Sequence, residues 1–439
     1  MRIHNRWFQL SAAAIAMVMI ANLQYSWTLF VEPLRQSTGW KLSDIQWAFT
    51  LFIVFPTMLQ PLQGWLIDRM GPRRFFSIAG VLCGIGWSTL GYVSTLPMFY
   101  ALYVLAGIGA GLVLGGAMGM TLKWFSTRRG LACGIVSAGF GGGTALFIPL
   151  IAYLIRELGY RSAFLSTGVF QALVLLIVAQ FLRHPPVEPA PVQTGSTFAG
   201  RKSLGRHHFT TGEMLRTPQF YVLYLAFAAM ATGGFLVTAN VGPMAHTWGI
   251  GPAALALATS LSALANGASR ILWGWVSDRT GRELTASVAF ALQSASLLLV
   301  LTVGRWSGTL FVITLILTFL TWGEVFSLFP SILGDYFGTR HATANYGVLY
   351  SAKGVAAIIV GGLAAVLYEQ FGNWSVCFYV SAALALLAAV LTFGLRSVAA
   401  PQGTKAPYPA GISITLGLRH AADEPADARS TASAWVKQE

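Results

Sequence analysis

Three charged side chains, Arg270, Glu324 and Lys353, stand inside long apolar segments of this sequence. Placing Arg or Lys at the centre of a membrane-spanning helix costs roughly 2.5 to 3.5 kcal/mol even on insertion scales, so each is expected to be paired or to serve a function. An arginine offers a planar fork that matches a carboxylate, whereas a lysine is a compact charge that tolerates varied geometry. Two such cations facing one cavity predict a binding site for a small anion.

Glu324 decides the charge balance of that predicted site. Arg270 and Lys353 alone suit a dicarboxylate, whereas an ionised Glu324 leaves one net positive charge, which suits a monocarboxylate or a shared proton. A rise of about 1.5 Å per helical residue places all three groups at a similar depth in the membrane, so they can share one aqueous cavity. The alternative is that Glu324 pairs with one cation and the three groups form an internal network without a substrate.

The segments that carry these charges are typical of an all-α membrane protein. The chain has 439 residues, of which 55% are hydrophobic and 10% charged, and its mean hydropathy is +0.64; soluble domains carry about 25% charged residues. Apolar runs of about 20 residues can each cross a bilayer as a helix, and continuous runs exclude a membrane β-barrel. The sequence predicts twelve transmembrane helices: 7–31, 44–67, 75–93, 97–121, 131–155, 161–182, 218–241, 252–276, 284–303, 308–333, 344–368 and 374–395.

Positive charge is distributed unevenly between the two sides of the predicted membrane. Most Lys and Arg residues fall in loops on the side of the two termini, and the few in the opposite loops are Arg35, Lys41, Arg156, Arg161 and Arg305. The positive-inside rule therefore predicts that both termini are cytoplasmic. The net charge of +13 does not indicate nucleic-acid binding, which needs a basic face on a soluble domain.

The chain contains an internal duplication. The motif Gly-Trp-x-x-Asp-Arg-x-Gly begins at Gly64 and again at Gly274, each time at the end of the second helix of a half. Both copies cross the membrane in the same direction, which is the geometry of parallel repeats in rocking transporters. The sequence predicts an N-terminal six-helix bundle (1–183), a Pro-rich cytoplasmic linker (184–217), a C-terminal six-helix bundle (218–396) and a disordered cytoplasmic tail (397–439).

The doubled motif, followed by Arg73-Arg74 in the first copy and Arg282 in the second, resembles the signature loop of the major facilitator superfamily. The resemblance implies the major facilitator fold, with two six-helix halves, from residue 7 to residue 396. The motif residues Asp68, Arg69, Asp278 and Arg279 would then form pairs at cytoplasmic gating turns. An alternative of equal weight is that these charges only determine how the helices are oriented in the membrane.

Within that superfamily the sequence resembles the oxalate/formate antiporter family. This resemblance implies that Arg270 and Lys353 bind a carboxylate substrate. It also implies a pocket in which Tyr25 and Trp322 keep the family's residue types, while Leu114, Phe326 and Tyr350 depart from them, as does Glu324. Gln24 could bind substrate or a neighbouring helix. The strings that carry the resemblance are Gln24-Tyr25-Ser26-Trp27, the stretch Met214–Phe220, Trp273-Gly274, Thr321-Trp322-Gly323, Asn345-Tyr346-Gly347 and Ala352-Lys353.

The sequence therefore predicts a secondary active transporter that exchanges small carboxylates of the oxalate/formate type by alternating access. The alternative is a proton-coupled monocarboxylate symporter, for a lactate- or pyruvate-like substrate, that uses Glu324 as its proton site. We expect no enzyme activity, cofactor, metal or nucleic-acid partner, and a monomer in the bacterial inner (plasma) membrane. The three cysteines, Cys83, Cys133 and Cys377, all lie in apolar runs and are expected to be packing residues.

Overall fold

The computed structural model describes residues 5–186, 208–371, 373 and 375–398. Most of the predicted linker (187–207) and nearly all of the predicted tail (399–439) lie outside the described residues. Within them the chain is almost entirely helical. The helices are α1 Arg6–Tyr25, α2 Trp27–Thr38, α3 Leu42–Met70, α4 Pro72–Ser88, α5 Leu96–Trp124, α6 Arg129–Phe181, α7 Thr211–Met214, α8 Pro218–Thr247, α9 Pro252–Thr280, α10 Arg282–Thr302, α11 Gly308–Leu320, α12 Val325–Phe337, α13 Ala342–Phe371 and α14 Ser375–Gly394.

These helices provide the twelve predicted membrane spans. By length and hydropathy, nine segments of the described residues can cross a membrane. One of them, α6, has 53 residues and contains two spans that meet at Gly159. The two remaining spans are α9 and α13, the long helices that carry Arg270 and Lys353. The short helix α7 precedes α8, and α1 with α2 forms one span that is interrupted at Ser26.

Glycines with positive φ mark the turns between successive spans. Gly159 has φ 80° and ψ 161° between the two spans of α6. The last glycines of the duplicated motif, Gly71 and Gly281, have φ 78° and 95° and matching ψ values of 155° and 148°. A side chain is strained in this region of backbone space, and glycine is not. The duplication therefore preserves a backbone conformation as well as a sequence.

The tenth span is broken, whereas the sequence predicted a continuous helix from 308 to 333. α11 ends at Leu320, α12 begins at Val325, and Thr321 to Glu324 form the turn between them. A Cβ built on Gly323 would lie 2.3 Å from the Asn266 carbonyl oxygen, so the turn packs directly against α9. Broken helices inside a membrane are tolerated where the freed backbone is buried in protein, and they are frequent at transporter binding sites.

The first glycines of the duplicated motif bring the two six-helix groups together. A Cβ on Gly64 of α3 would lie 2.5 Å from the backbone of Ala344 on α13. A Cβ on Gly274 of α9 would lie 2.2 Å from the carbonyl oxygen of Gly130 on α6. Both contacts lie on the side of the membrane where α1 begins, called the terminal side below. Because glycine has no side chain, the helices touch directly at these two positions and close the terminal side.

Candidate substrate-binding site

Lys353 lies on α13 and is 3% exposed. Its Nζ donates hydrogen bonds to Oε1 of Gln24, at 3.3 Å, and to the hydroxyl of Tyr350, at 3.1 Å. The Gln24 bond crosses from the second group of six helices to the first, because Gln24 lies in the last turn of α1. The ammonium also lies 5.3 to 5.7 Å from three aromatic rings, those of Phe140, Phe326 and Tyr350. The lysine is therefore held by neutral groups and ring faces.

Arg270 lies on α9 and is 1% exposed. Its Nη1 donates to the carbonyl oxygen of Ser137 on α6 at 2.8 Å. Its Nε and Nη2 both donate to Oδ1 of Asn266, at 3.2 and 2.8 Å. The guanidinium carbon lies 4.6 Å from the centre of the Phe326 ring, and Tyr25 interacts with the group as well. Arg270 and Lys353 thus lie against the same phenyl ring, from different helices.

Glu324 is fully buried at the break between α11 and α12. Neither of its carboxylate oxygens has a hydrogen-bond partner among the described residues. Arg270 is the charged neighbour that acts on it electrostatically. Glu324 therefore interacts with Arg270 electrostatically and without a hydrogen bond, and the predicted internal network stays a prediction.

A small cavity of about 30 Å³ lies beside Lys353. Of the residues predicted from sequence, Gln24, Leu114, Tyr350 and Lys353 line it. The predicted residues Tyr25, Arg270, Trp322, Glu324 and Phe326 are absent from the lining. The structure adds a wall that sequence reasoning missed, formed by Phe52, Ile53, Pro56, Thr57, Gln60, Gly107, Ala110, Gly111 and Phe140.

Aromatic side chains connect the cavity to the buried charges. Phe326 packs against Trp322 with ring centroids 6.1 Å apart and against Tyr350 at 6.3 Å. Tyr25 packs against Phe140 at 5.4 Å, and Phe140 lines the cavity. Trp322 is anchored by its indole N–H, which donates to the carbonyl oxygen of Met230 at 3.4 Å. These rings connect the residues that line the cavity to the Phe326 ring, against which Arg270 lies.

At the predicted gating turns, the structure describes the partners of three motif residues. Asp278 accepts hydrogen bonds from the backbone N–H groups of Gly130 and Leu131, at 3.0 and 2.9 Å, at the start of α6. Arg279 lies over the Trp275 ring at 3.6 Å. In the first copy Arg69 lies over Trp65 at 5.3 Å, and the side chain of Asp68 is outside the described residues.

A charge network on the terminal side connects the two groups of helices. Arg282 of α10 lies 2.6 Å from Asp278 and 3.0 Å from Asp335. Asp335 of α12 also pairs with Arg129 at the start of α6. Arg129 and Asp335 belong to different groups of six helices, so the network joins them. Asp335 was not predicted, because the predicted tenth span ended at residue 333 and left Asp335 among the polar residues that follow it, whereas the structure extends α12 to Phe337.

Comparisons with known proteins agree with this architecture. The family model of the Major Facilitator Superfamily matches residues 12–241 and 223–425. The chain is 38% identical over 398 residues to the oxalate:formate antiporter of Oxalobacter formigenes, covering 90% of this chain and 93% of the relative. It is 27% identical to monocarboxylate transporter 11 of Homo sapiens, covering 80% and 74%. The proton:xylose symporter XylE matches with a TM-score of 0.68, over 89% and 95% of the two chains, at 14% identity, which shows the fold alone.

The fold and these matches define an integral, multi-pass membrane transporter and exclude an enzyme. The chain belongs to the major facilitator superfamily, and it resembles the oxalate/formate antiporter family within it, as its sequence motifs predicted.

Proposed function

We propose that this protein is a secondary active transporter that exchanges small carboxylates across the membrane. The observation that carries the proposal is a pair of buried cations, Arg270 and Lys353, that lie against the same Phe326 ring, with Lys353 lining a cavity. Within the described chain their hydrogen bonds go to neutral groups only. A carboxylate that entered the cavity would supply the missing negative charge. Arg270 would act through its planar fork and Lys353 as a point charge.

The relatives support a carboxylate as the substrate. The relative from Oxalobacter formigenes is named an oxalate:formate antiporter, and the human relative is named a monocarboxylate transporter. Both cover most of this chain. In our proposal Gln24 and Tyr350 contact the substrate, since they line the cavity and bind Lys353. Leu114 gives the cavity an apolar wall, and Tyr25, Trp322 and Phe326 hold the two cations in place.

Exchange by alternating access follows from the cost of closing an empty site. The terminal side is closed by the glycine contacts and by the Arg129–Asp335 pair. Closure of the opposite side over two uncompensated cations is unfavourable, and a bound anion lowers that cost, so substrate shifts the equilibrium between the two states. We place both termini in the cytoplasm of a bacterial cell, with the chain monomeric in the inner membrane.

Proton-coupled symport of a monocarboxylate is the second candidate, and Glu324 is the observation that favours it. A fully buried carboxylate without a hydrogen-bond partner is costly when ionised and inexpensive when protonated. If Glu324 takes up a proton with each anion, net uptake would follow the proton gradient.

Transport into proteoliposomes separates the two candidates. Uptake of labelled oxalate or lactate is measured with unlabelled substrate inside, and separately with an imposed pH gradient and no internal substrate. We expect strong stimulation by internal substrate without a gradient. Uptake that requires the gradient and ignores internal substrate would support symport and overturn exchange.

A further inference from the structure

The part of the cavity wall that α3 supplies presents hydrogen-bond acceptors. Gln60 of α3 lines the cavity and is 2% exposed. Its Nε2 donates to the carbonyl oxygen of Gly111 on α5 at 3.2 Å. Because a carbonyl can only accept, this bond fixes the orientation of the amide. The other amide atom, Oε1, is buried and accepts no hydrogen bond within the described part of the chain.

Two further acceptors lie on the same stretch of α3. The hydroxyl of Thr57 donates to the carbonyl oxygens of Ile53 and Val54, at 2.8 and 2.9 Å, so only its lone pairs are left for another partner. Pro56 has no N–H, so the carbonyl of Phe52 loses its usual helical partner. Thr57, Pro56 and Phe52 all line the cavity.

The wall formed by α13 presents hydrogen-bond donors instead. Lys353 uses two of its three N–H bonds on Gln24 and Tyr350. The Tyr350 hydroxyl accepts one of these bonds, which leaves its own hydrogen for another acceptor. The cavity is therefore polarised, with donors and positive charge on α13 and acceptors on α3, of which Oε1 of Gln60 is without a hydrogen-bond partner in the described residues.

We propose that the substrate class is the small 2-hydroxycarboxylates, whose carboxylate binds on the Lys353 side and whose hydroxyl donates to Oε1 of Gln60. This inference rests on the proposed carboxylate transport and specifies its substrate. A fully ionised dicarboxylate such as oxalate presents acceptors only, so it leaves Gln60 without a donor. An unsatisfied buried acceptor is unfavourable, and a substrate hydroxyl that satisfies it is selected over a methyl or methylene group.

Matched ligands test the proposal on the full-length wild-type protein in proteoliposomes. The inhibition constants of glycolate, acetate and methoxyacetate are measured by competition, and those of lactate and propionate likewise. We expect glycolate and lactate to bind about tenfold tighter than acetate and propionate. Methoxyacetate keeps the oxygen but lacks the donor hydrogen, so it should bind like acetate or more weakly. Equal affinities for glycolate and acetate would overturn the inference without any variant.

The variant Gln60→Leu removes the acceptor at similar volume, and Gln63→Leu is its matched control. Gln63 lies on the same helix, is also buried, and is not among the cavity-lining residues. We expect Gln60→Leu to lose the tenfold preference for the hydroxyl with little change for propionate, and Gln63→Leu to retain it. A preference that survives in folded Gln60→Leu would contradict the assignment.

The outcomes for the inference and for the proposed function are distinguishable. If oxalate or acetate binds tightly and a hydroxyl group does not increase the affinity, the proposed substrate class is wrong. The proposed transport of carboxylates is then unaffected. Failure of every carboxylate, oxalate included, to bind or to be transported overturns both.

Discussion

Arg270 combines a positive charge with a geometry that Asn266 and Ser137 hold in place. Its Nε and Nη2 share one oxygen of Asn266, and the Phe326 ring supports its face. A group held in this way loses little conformational entropy when it binds a carboxylate. Its charge and its fixed geometry would therefore both favour the binding of a carboxylate.

The substitution Arg270→Gln should reduce carboxylate uptake by at least about 100-fold, because a desolvated charge–carboxylate contact is lost. Arg270→Lys keeps the charge without the fork and should retain part of the activity. Initial uptake rates in proteoliposomes measure both. Arg279→Gln is the control, since Arg279 lies on the same helix but over Trp275. Undiminished uptake by Arg270→Gln would falsify the assigned role.

Glu324→Gln keeps the size of the buried side chain and removes its charge. Exchange between internal and external substrate requires no proton, so we expect it to persist within about threefold of wild type. Any uptake driven by a pH gradient should disappear. The same proteoliposome assay with and without a gradient measures both rates. Loss of exchange together with gradient-driven uptake would indicate an obligatory proton step and would favour symport.

The two cations were predictable from sequence, and the α3 wall was not. A buried Arg or Lys is conspicuous because of its cost. By contrast, Phe52 in the cavity wall and Phe55, which is 47% exposed, are the same residue type three positions apart. The hydrophobic effect gives the same sequence signal for packing against protein, lipid or a cavity. Only Thr57 and Gln60 could have indicated this wall, since they place polar groups about one turn apart on α3.

At the scale of elements, the break between α11 and α12 positions two site residues. Trp322 and Glu324 lie within the four-residue turn, and Gly323 between them contacts α9. The sequence predicted the span but not the break, because Thr-Trp-Gly-Glu has no proline and continues an apolar pattern. The close approach of α9, a tertiary contact, determines the break.

Gly323→Ala should destabilise the protein, because the added Cβ would lie 2.2 to 2.3 Å from Ser269 and Asn266. Overpacking of this kind costs about 1–3 kcal/mol. We expect a lower melting temperature in detergent and a weaker apparent substrate affinity, since α9 carries Arg270. Gly242→Ala on α8 is the control, because its Cβ meets no atom within 4 Å. Equal melting temperatures for the two variants would contradict the packing argument.

At the scale of the whole molecule, the terminal side is closed by helix contacts and by charge. The duplicated motif was visible in the sequence, and it predicted where the two turns lie. It did not predict that Asp278 binds the first N–H groups of α6, because such contacts between distant segments leave no local pattern. The network through Arg129, Arg282 and Asp335 was missed for the same reason.

Asp335→Asn should weaken this closure, because it removes the partner of both Arg129 and Arg282. We expect the terminal side to open more often. Native Cys133 on α6 is fully buried in the closed arrangement and serves as the reporter. Its labelling by a membrane-permeant maleimide should become several-fold faster than in wild type.

Cys83 and Cys377 are the internal controls for this experiment, since both are buried away from the charge network. Their labelling should remain slow in Asp335→Asn. Unchanged labelling of Cys133 would mean that the ion pairs do not hold the terminal side closed. Faster labelling of all three cysteines would indicate general unfolding instead.

The cross-group hydrogen bonds of the two cations limit how strictly this carrier can couple its fluxes. Lys353 is bonded to Gln24 and Arg270 to the Ser137 carbonyl, so each cation has a neutral partner on the other half. In the proposed exchange, these bonds lower the cost of a change of state without substrate. We therefore expect a small uncompensated leak, in which one anion crosses with no anion returning.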